Sequence, residues 1–142
     1  MVDILVVGGG IAGLSVAGRL SKSAKVTLLE AEENLGYHSS SRSAAAFIED
    51  YGNEVIREFN SASKSFLSKD GVDVLSPRGS LILGKKDEKY AFKEQCSSFA
   101  HNEISVSDAR SLIEIINNKS VEYAGYKEDI FDIDTDKLLQ HF

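Results

Sequence analysis

Residues 4–30 read Ile4-Leu-Val-Val-Gly8-Gly-Gly10-Ile-Ala-Gly13-Leu-Ser-Val-Ala-Gly-Arg-Leu-Ser-Lys-Ser-Ala-Lys-Val-Thr-Leu-Leu-Glu30. Ile4 to Val7 is a short apolar run of the kind presented by a strand buried on both faces. Three glycines follow at once. Ile11, Leu14, Ala17 and Leu20 then recur near helical spacing, which predicts a helix from Ile11 to about Ser23. Lys25 to Glu30 is a second apolar strand. Strand, glycine turn, helix and strand form a right-handed β-α-β unit with a parallel pair.

Gly8, Gly10 and Gly13 spell G-x-G-x-x-G, a weak signal alone. Here it follows a strand, opens a helix and precedes an acid at the end of the next strand, about 20 residues on, and that context indicates a dinucleotide site. Gly8 permits the tight turn, Gly10 lets a pyrophosphate approach the backbone, and Gly13 lets the helix pack on the strand. The free N–H groups of this turn, with Ile11 and Ala12 in it, and the helix dipole face the phosphates. Glu30, with Ala31 beside it, is placed to accept hydrogen bonds from both hydroxyls of an adenosine ribose, and its charge disfavours a 2′-phosphate. The competing reading is a turn that only serves packing, with Glu30 solvated.

The 142 residues suffice for one domain with a real core. With 42% hydrophobic and 27% charged residues, the chain reads as globular. A net charge of −6 argues against a sequence-independent nucleic-acid binder. No apolar run reaches the ~18 residues of a membrane span, and no basic stretch precedes an apolar one as in a secretory signal. Cys96, the single cysteine, excludes an intramolecular disulfide and fits a reducing compartment. A cytoplasmic location is expected, with a peripheral membrane contact left open.

Ala31 to Ser43 reads as a loop rich in serine near its end. Ser39, Ser40, Ser41 and Ser43 offer hydroxyls and backbone N–H groups to a second part of an extended cofactor. Arg42 can offset pyrophosphate charge, and Ala44, Ala45 and Ala46 are small enough for a flat ring to lie close. The alternative is a surface loop with Arg42 in water. Further on, Val55, Phe59, Ala62 and Phe66 predict a helix with one apolar face from about Asn53. Ser80–Leu83 and Val121–Lys127 read as strands. Phe92, Cys96 and Phe99 mark another helix, Asp108–Ile116 a further one, and Asp134–Phe142 a last one capped by Asp134 or Thr135.

The sequence resembles the FAD-dependent oxidoreductases of the D-amino-acid oxidase type, closest in look to bacterial D-arginine dehydrogenase-like members. The resemblance lies in Val-Val-Gly-Gly-Gly-Ile-Ala-Gly at 6–13, Leu-Leu-Glu at 28–30, Gly-Tyr-His-Ser-Ser-Ser-Arg-Ser-Ala-Ala at 36–45, Tyr51-Gly52, Leu-Ser-Pro-Arg at 75–78 and Asp-Ile-Asp-Thr-Asp at 132–136. It implies an α/β chain: a Rossmann-like FAD-binding β-α-β unit followed by the start of a mixed α+β substrate domain, as an N-terminal fragment of a longer enzyme. Residues 1–73 would form the N-terminal part of the FAD-binding domain, 74–128 the beginning of the substrate domain, and 129–142 a return to the first.

The resemblance further implies that Ser39 to Ala46 wraps the FAD, and that Tyr51 lies near the substrate. A half-buried core tyrosine is the other reading of Tyr51. Two positions depart from the D-arginine enzymes, Ala46 in place of a histidine and Ser80 in place of a carboxylate, which points to a smaller or neutral amino acid. The implied reaction is oxidation of the C–N bond of a D-amino acid or secondary amine. Hydride passes to flavin N5, and the imine hydrolyses to a 2-oxo acid and ammonia. The partners are then a small amino acid and an electron acceptor that the sequence does not name. An NAD-dependent dehydrogenase and a non-catalytic nucleotide-binding module are the alternatives.

Other signals carry less. Asp132, Asp134 and Asp136 imitate a calcium loop, but Lys137 stands where its turn needs glycine, so a helix cap is expected. His38, His101 and His141 lack metal-like spacing. Cys96 falls on an apolar helix face, as a core residue does.

Overall fold

In a computed structural model, which describes all of residues 1–142, the elements run β1 (Ile4–Val7), α1 (Ile11–Leu20), β2 (Val26–Leu29), β3 (Ala46–Ile48), α2 (Glu54–Leu67), β4 (Leu75–Pro77), β5 (Ser80–Gly84), a 3-10 turn at Lys86–Glu88, α3 (Lys89–Ser98), β6 (Asn102–Ile104), α4 (Val106–Leu112), β7 (Tyr123–Lys127), β8 (Ile130–Ile133) and α5 (Thr135–Gln140). The chain divides into two compact units, one of Met1–Ala46, Phe66–Ser76 and Asp132–Phe142, the other of Phe47–Ser65 and Pro77–Phe131. Residues 47–65, kept in the first segment by the sequence reading, cluster here with 77–131. Three short strands form a sheet of order β3-β8-β4.

The first unit holds the β-α-β motif. β1 and β2 pair in parallel from Ile4 opposite Val26 to Val7 opposite Leu29. Helix α1 packs against both strands and buries Leu14. It ends at Leu20, earlier than Ser23, because the next residues close a turn in which Ser23 and Ala24 N–H both donate to the Leu20 carbonyl. One expectation fails. β1 is not covered on both faces, since Leu5 and Val7 are 57% and 78% exposed. They alternate with Ile4 and Val6, the half-buried side of the pleat. Helix α5 is capped by Asp134, whose carboxylate accepts the Lys137 N–H at 2.9 Å. Asp132, Asp134 and Asp136 thus do the work of a helix start. Lys137 Nζ in turn donates to the Asp73 carbonyl at 2.5 Å and its carboxylate at 3.2 Å.

The second unit is built on an antiparallel sheet of order β5-β7-β6. Helix α3 lies on it and buries Phe92 and Cys96. A small core of Ala109, Ile116 and Ala124 is flanked by Leu81, Ile104 and Val121. Helix α4 spans Val106–Leu112 where 108–116 was expected, because Ser105 caps it two residues earlier by accepting the Asp108 N–H at 3.0 Å.

The apolar stripe expected on α2 is present but faces outward in part: Val55, Ile56 and Phe59 are 57%, 42% and 66% exposed. Another face holds the helix to its own unit. Arg57, Asn60 and Lys64, at helical spacing, reach the 48–52 loop, with Lys64 Nζ donating to Glu49 at 2.5 Å. Lys127 donates to Asp50 from β7. No helix of the chain is long and apolar enough to cross a membrane.

Candidate functional site

The glycine turn between β1 and α1 is shaped by three separate constraints. Gly8 has φ +104°, and a Cβ there would meet nothing within 4 Å, so backbone conformation requires glycine. Gly13 is the opposite case: a Cβ would stand 1.9 Å from the Gly8 carbonyl oxygen. Gly10 is extended as the N-cap of α1, and a Cβ on it would meet only Ser40 Oγ, at 3.3 Å. The backbone at Gly10 is therefore open to close approach. Ala12 and Gly13 stand in the first turn of α1, where N–H groups have no intrahelical acceptor.

Gly9 is a member that the motif reading missed. Its N–H donates to Glu30 Oε2 at 2.5 Å, and a Cβ on it would lie 2.5 Å from Leu35 Cδ2. The Glu30 carboxylate also accepts the N–H groups of Ala31 at 2.8 Å and Glu32 at 3.0 Å. These bonds, led by those from Glu32 and Gly9, hold its pKa below the ordinary carboxylate value. Three of about four acceptor directions are then taken by backbone, leaving capacity for a ligand hydroxyl.

The serine loop is tied to the turn. Gly36 N–H donates to the Gly9 carbonyl at 2.8 Å, and Ser40 Oγ accepts the Ile11 N–H at 3.0 Å. A cavity of about 300 Å³ opens beside it, lined by Ile11, Ser39, Ser40, Ser43, Ala45, Ile133, Thr135, Leu138 and Leu139. Ala45 holds φ +52°, a left-handed conformation unusual for alanine, and its carbonyl accepts the Ile133 N–H at 2.6 Å. The wall from α5 was not singled out from sequence. The Asp-Ile-Asp-Thr-Asp element was legible there as a cap and a likeness, and its nearness to the serine loop is a tertiary fact.

The remaining loop residues divide. Ser41 turns back, its hydroxyl and its N–H both donating to the Gly36 carbonyl, at 2.6 Å and 3.0 Å. The Arg42 guanidinium lies over the Tyr37 ring at 5.2 Å. Ala44 and Ala46 are outside the cavity lining, and Ala46 begins β3. His38 is within 2.9 Å of Glu32 Oε1.

Tyr51 belongs to the second unit and is 56% exposed, so it is not a core residue. Its ring stacks on Phe99, centroids 6.2 Å apart. His101 and Cys96 are buried in the same unit. Burial pushes the His101 pKa down and the Cys96 thiol up.

The first unit fits an adenine dinucleotide on its own geometry. It combines an open backbone at Gly10, a carboxylate with acceptor capacity at Glu30, and a cavity of hydroxyl, small and aliphatic side chains. Among solved structures, the fold is similar to those of the following three enzymes. The first is an L-alpha-glycerophosphate oxidase from Mycoplasma pneumoniae with FAD bound, with a TM-score of 0.75, 18% identity, and coverage of 98% of this chain and 40% of that one. The second is a glycine oxidase from Bacillus cereus, with a TM-score of 0.76, 18% identity, and coverage of 99% and 43%. The third is an L-proline dehydrogenase from P. horikoshii, with a TM-score of 0.73, 19% identity, and coverage of 98% and 40%. The chain thus spans about 40% of the length of the structures it matches. The family model for FAD-dependent oxidoreductases, DAO, matches residues 3–142. By that match, which covers nearly the whole chain, the protein belongs to the DAO family of FAD-dependent oxidoreductases.

Proposed function

We propose that the protein oxidises the C–N bond of an amino acid, a D-amino acid or a secondary amine, with FAD as the cofactor. FAD, when bound, supplies the acceptor for the hydride that leaves the substrate Cα. The chain's own share is binding and orientation. Gly10 leaves room for the pyrophosphate, with Gly8 shaping the turn and Gly13 seating the helix; N–H groups of Ala12 and Gly13 face it, while that of Ile11 is spent on Ser40 Oγ. Glu30, with Ala31 beside it, takes a ribose hydroxyl on the acceptor direction its backbone bonds leave. Ser39, Ser40 and Ser43 offer hydroxyls along the cavity, and Ala45 gives it a low wall. Ser41 supports the loop from behind through Gly36. In this reading Arg42, Ala44 and Ala46 act through the loop's course, and Tyr51 meets the substrate. The imine formed by oxidation then takes up water to give a 2-oxo acid and ammonia from a primary amine, or a 2-oxo acid and the corresponding primary amine (in the same molecule for a ring such as proline) from a secondary one.

The observation that carries the reading is the cavity at the start of α1, within a chain of the DAO family. The amino-acid part is supported by neighbours named as glycine oxidase and L-proline dehydrogenase. A neighbour named as a glycerophosphate oxidase favours a second reading, oxidation of an alcohol carbon. Ala46 and Ser80 support a small or neutral amino acid over a cationic one.

The test is spectroscopic. The intact protein, purified, should carry releasable FAD. Mixed without oxygen, the flavin's visible band should bleach with one of glycine, D-alanine, D-proline or sarcosine and yield the 2-oxo acid. Bleaching by glycerol 3-phosphate alone would replace the C–N assignment by the alcohol reading. A colourless protein without flavin would sink both.

A further inference from the structure

Asn60 stands near the middle of α2, and its side-chain amide nitrogen faces three backbone carbonyls: Ile48 at 3.2 Å, Glu49 at 3.3 Å and Tyr51 at 3.2 Å. Three acceptors around one atom demand a donor, so the amide nitrogen and not the oxygen points inward. Two protons are shared among three carbonyls. The Tyr51 backbone is held at its other end as well, its N–H donating to the Ile48 carbonyl at 3.1 Å. One turn earlier in α2, Arg57 Nε donates to the Gly52 carbonyl at 3.0 Å.

The side chain of Tyr51 is treated differently. Its ring is nearly parallel to Phe99, at 14°, while the residue stays 56% exposed. The hydrogen bonds of Tyr51 run through its backbone, and its hydroxyl makes none within the protein. A tyrosine fixed at N, O and ring, with an unspent hydroxyl, is preorganised to meet a ligand.

We propose that Asn60 is a positioning residue, which sets Tyr51 for an amino-acid substrate by clamping the 48–51 carbonyls. The inference rests on the reading of Tyr51 as a substrate contact. Asn60 touches no substrate in this account. It acts only through the loop.

A probe that binds without reacting separates the two claims. 2-Aminoisobutyrate has the carboxylate and amine of an α-amino acid but no hydrogen on Cα, so no hydride can leave it. Its binding to the intact, FAD-loaded protein is read as a shift in the flavin absorption spectrum. Asn60→Ala should raise its dissociation constant about tenfold, with FAD content and the thermal midpoint close to wild type. Tyr51→Phe should weaken binding as well. In the Tyr51→Phe background, Asn60→Ala should add little, because the group it positions is gone.

Full additivity of the two substitutions, or wild-type binding by Asn60→Ala, overturns the role of Asn60. If Tyr51→Phe binds the probe as wild type does, or wild type does not bind it, the reading of Tyr51 falls and takes this inference with it. Should Asn60→Ala lose its FAD, Asn60→Ser carries the same test, since its hydroxyl can still reach one carbonyl.

Discussion

A methyl group on Gly13 would stand 1.9 Å from the carbonyl oxygen of Gly8. Both residues belong to the glycine turn, but they need glycine for opposite reasons, one for conformation and one for space. The contact brings the first turn of α1 down onto the end of β1, and the phosphate-facing N–H groups ride on it. Gly13→Ala must push the helix away from the strand. We expect a loss of stability toward the upper end of the ~1–3 kcal/mol typical of overpacking, with FAD lost in the same step. Thermal unfolding and flavin released per protein measure both. An alanine variant with native stability and full flavin would refute the account.

Glu30→Gln tests the acid at the end of β2. The glutamine keeps the shape but puts an NH2 group near backbone N–H donors of Gly9, Ala31 and Glu32. FAD affinity should fall at least about tenfold. There is also a pH signature. The folded-state pKa of Glu30 is lowered, so its contribution is fully present above the ordinary carboxylate value and fades as pH falls through the lowered one. The stability difference between wild type and Glu30→Gln should shrink in that acid window. A difference independent of pH would show that the carboxylate is not held this way.

His101 gives a pH dependence of the same sign in a higher window, with burial as its cause. Its Nδ1 is 3.2 Å from the Phe99 carbonyl, and its Nε2 is buried without a partner. Burial lowers the folded-state pKa, so the unfolded chain takes up the proton first as pH drops below the ordinary imidazole value. Stability should therefore decline from that value down to the lowered one, then lose this slope. His101→Gln should flatten the decline, as followed by urea unfolding across a pH series. An unchanged slope would assign the acid sensitivity to other groups.

Asp50 and Lys127 form an ion pair in the second unit, with the Lys127 side chain only 12% exposed and Asp50 43%. The bond to Lys127 holds the Asp50 pKa below the ordinary value. Asp50→Asn leaves the lysine charge poorly matched. With Asp50 partly in water, a loss of about 1–2 kcal/mol at neutral pH is expected. The loss should disappear in acid, where wild-type Asp50 is protonated too. Chemical denaturation at both pH values decides it.

Cys96 is buried under α3 with its thiol pKa raised by burial. Native protein should therefore react slowly with a thiol reagent and denatured protein at once, the rates differing by orders of magnitude. Equal rates would place Cys96 at the surface.

How much of this was legible in the residues depends on distance along the chain. The β-α-β unit, its glycine turn and Glu30 lie within one stretch of thirty residues, where apolar periodicity and backbone sterics are local matters. Asp134 as a cap and the helices around Val55 and Phe92 are local in the same sense. The strands at Ala46–Ile48, Asn102–Ile104 and Ile130–Ile133 were not, because three or four residues are too few to show a period, and their partners lie far off in sequence. Only the tertiary structure decided that Ser41 faces Gly36 while Ser40 faces Ile11, since four similar serines differ only in where the loop turns them. It also brought Thr135, Leu138 and Leu139 to the serine loop, and set Asn60 against three carbonyls. Local sequence sets which groups can bind a dinucleotide; the packing of remote segments sets which of them share a cavity.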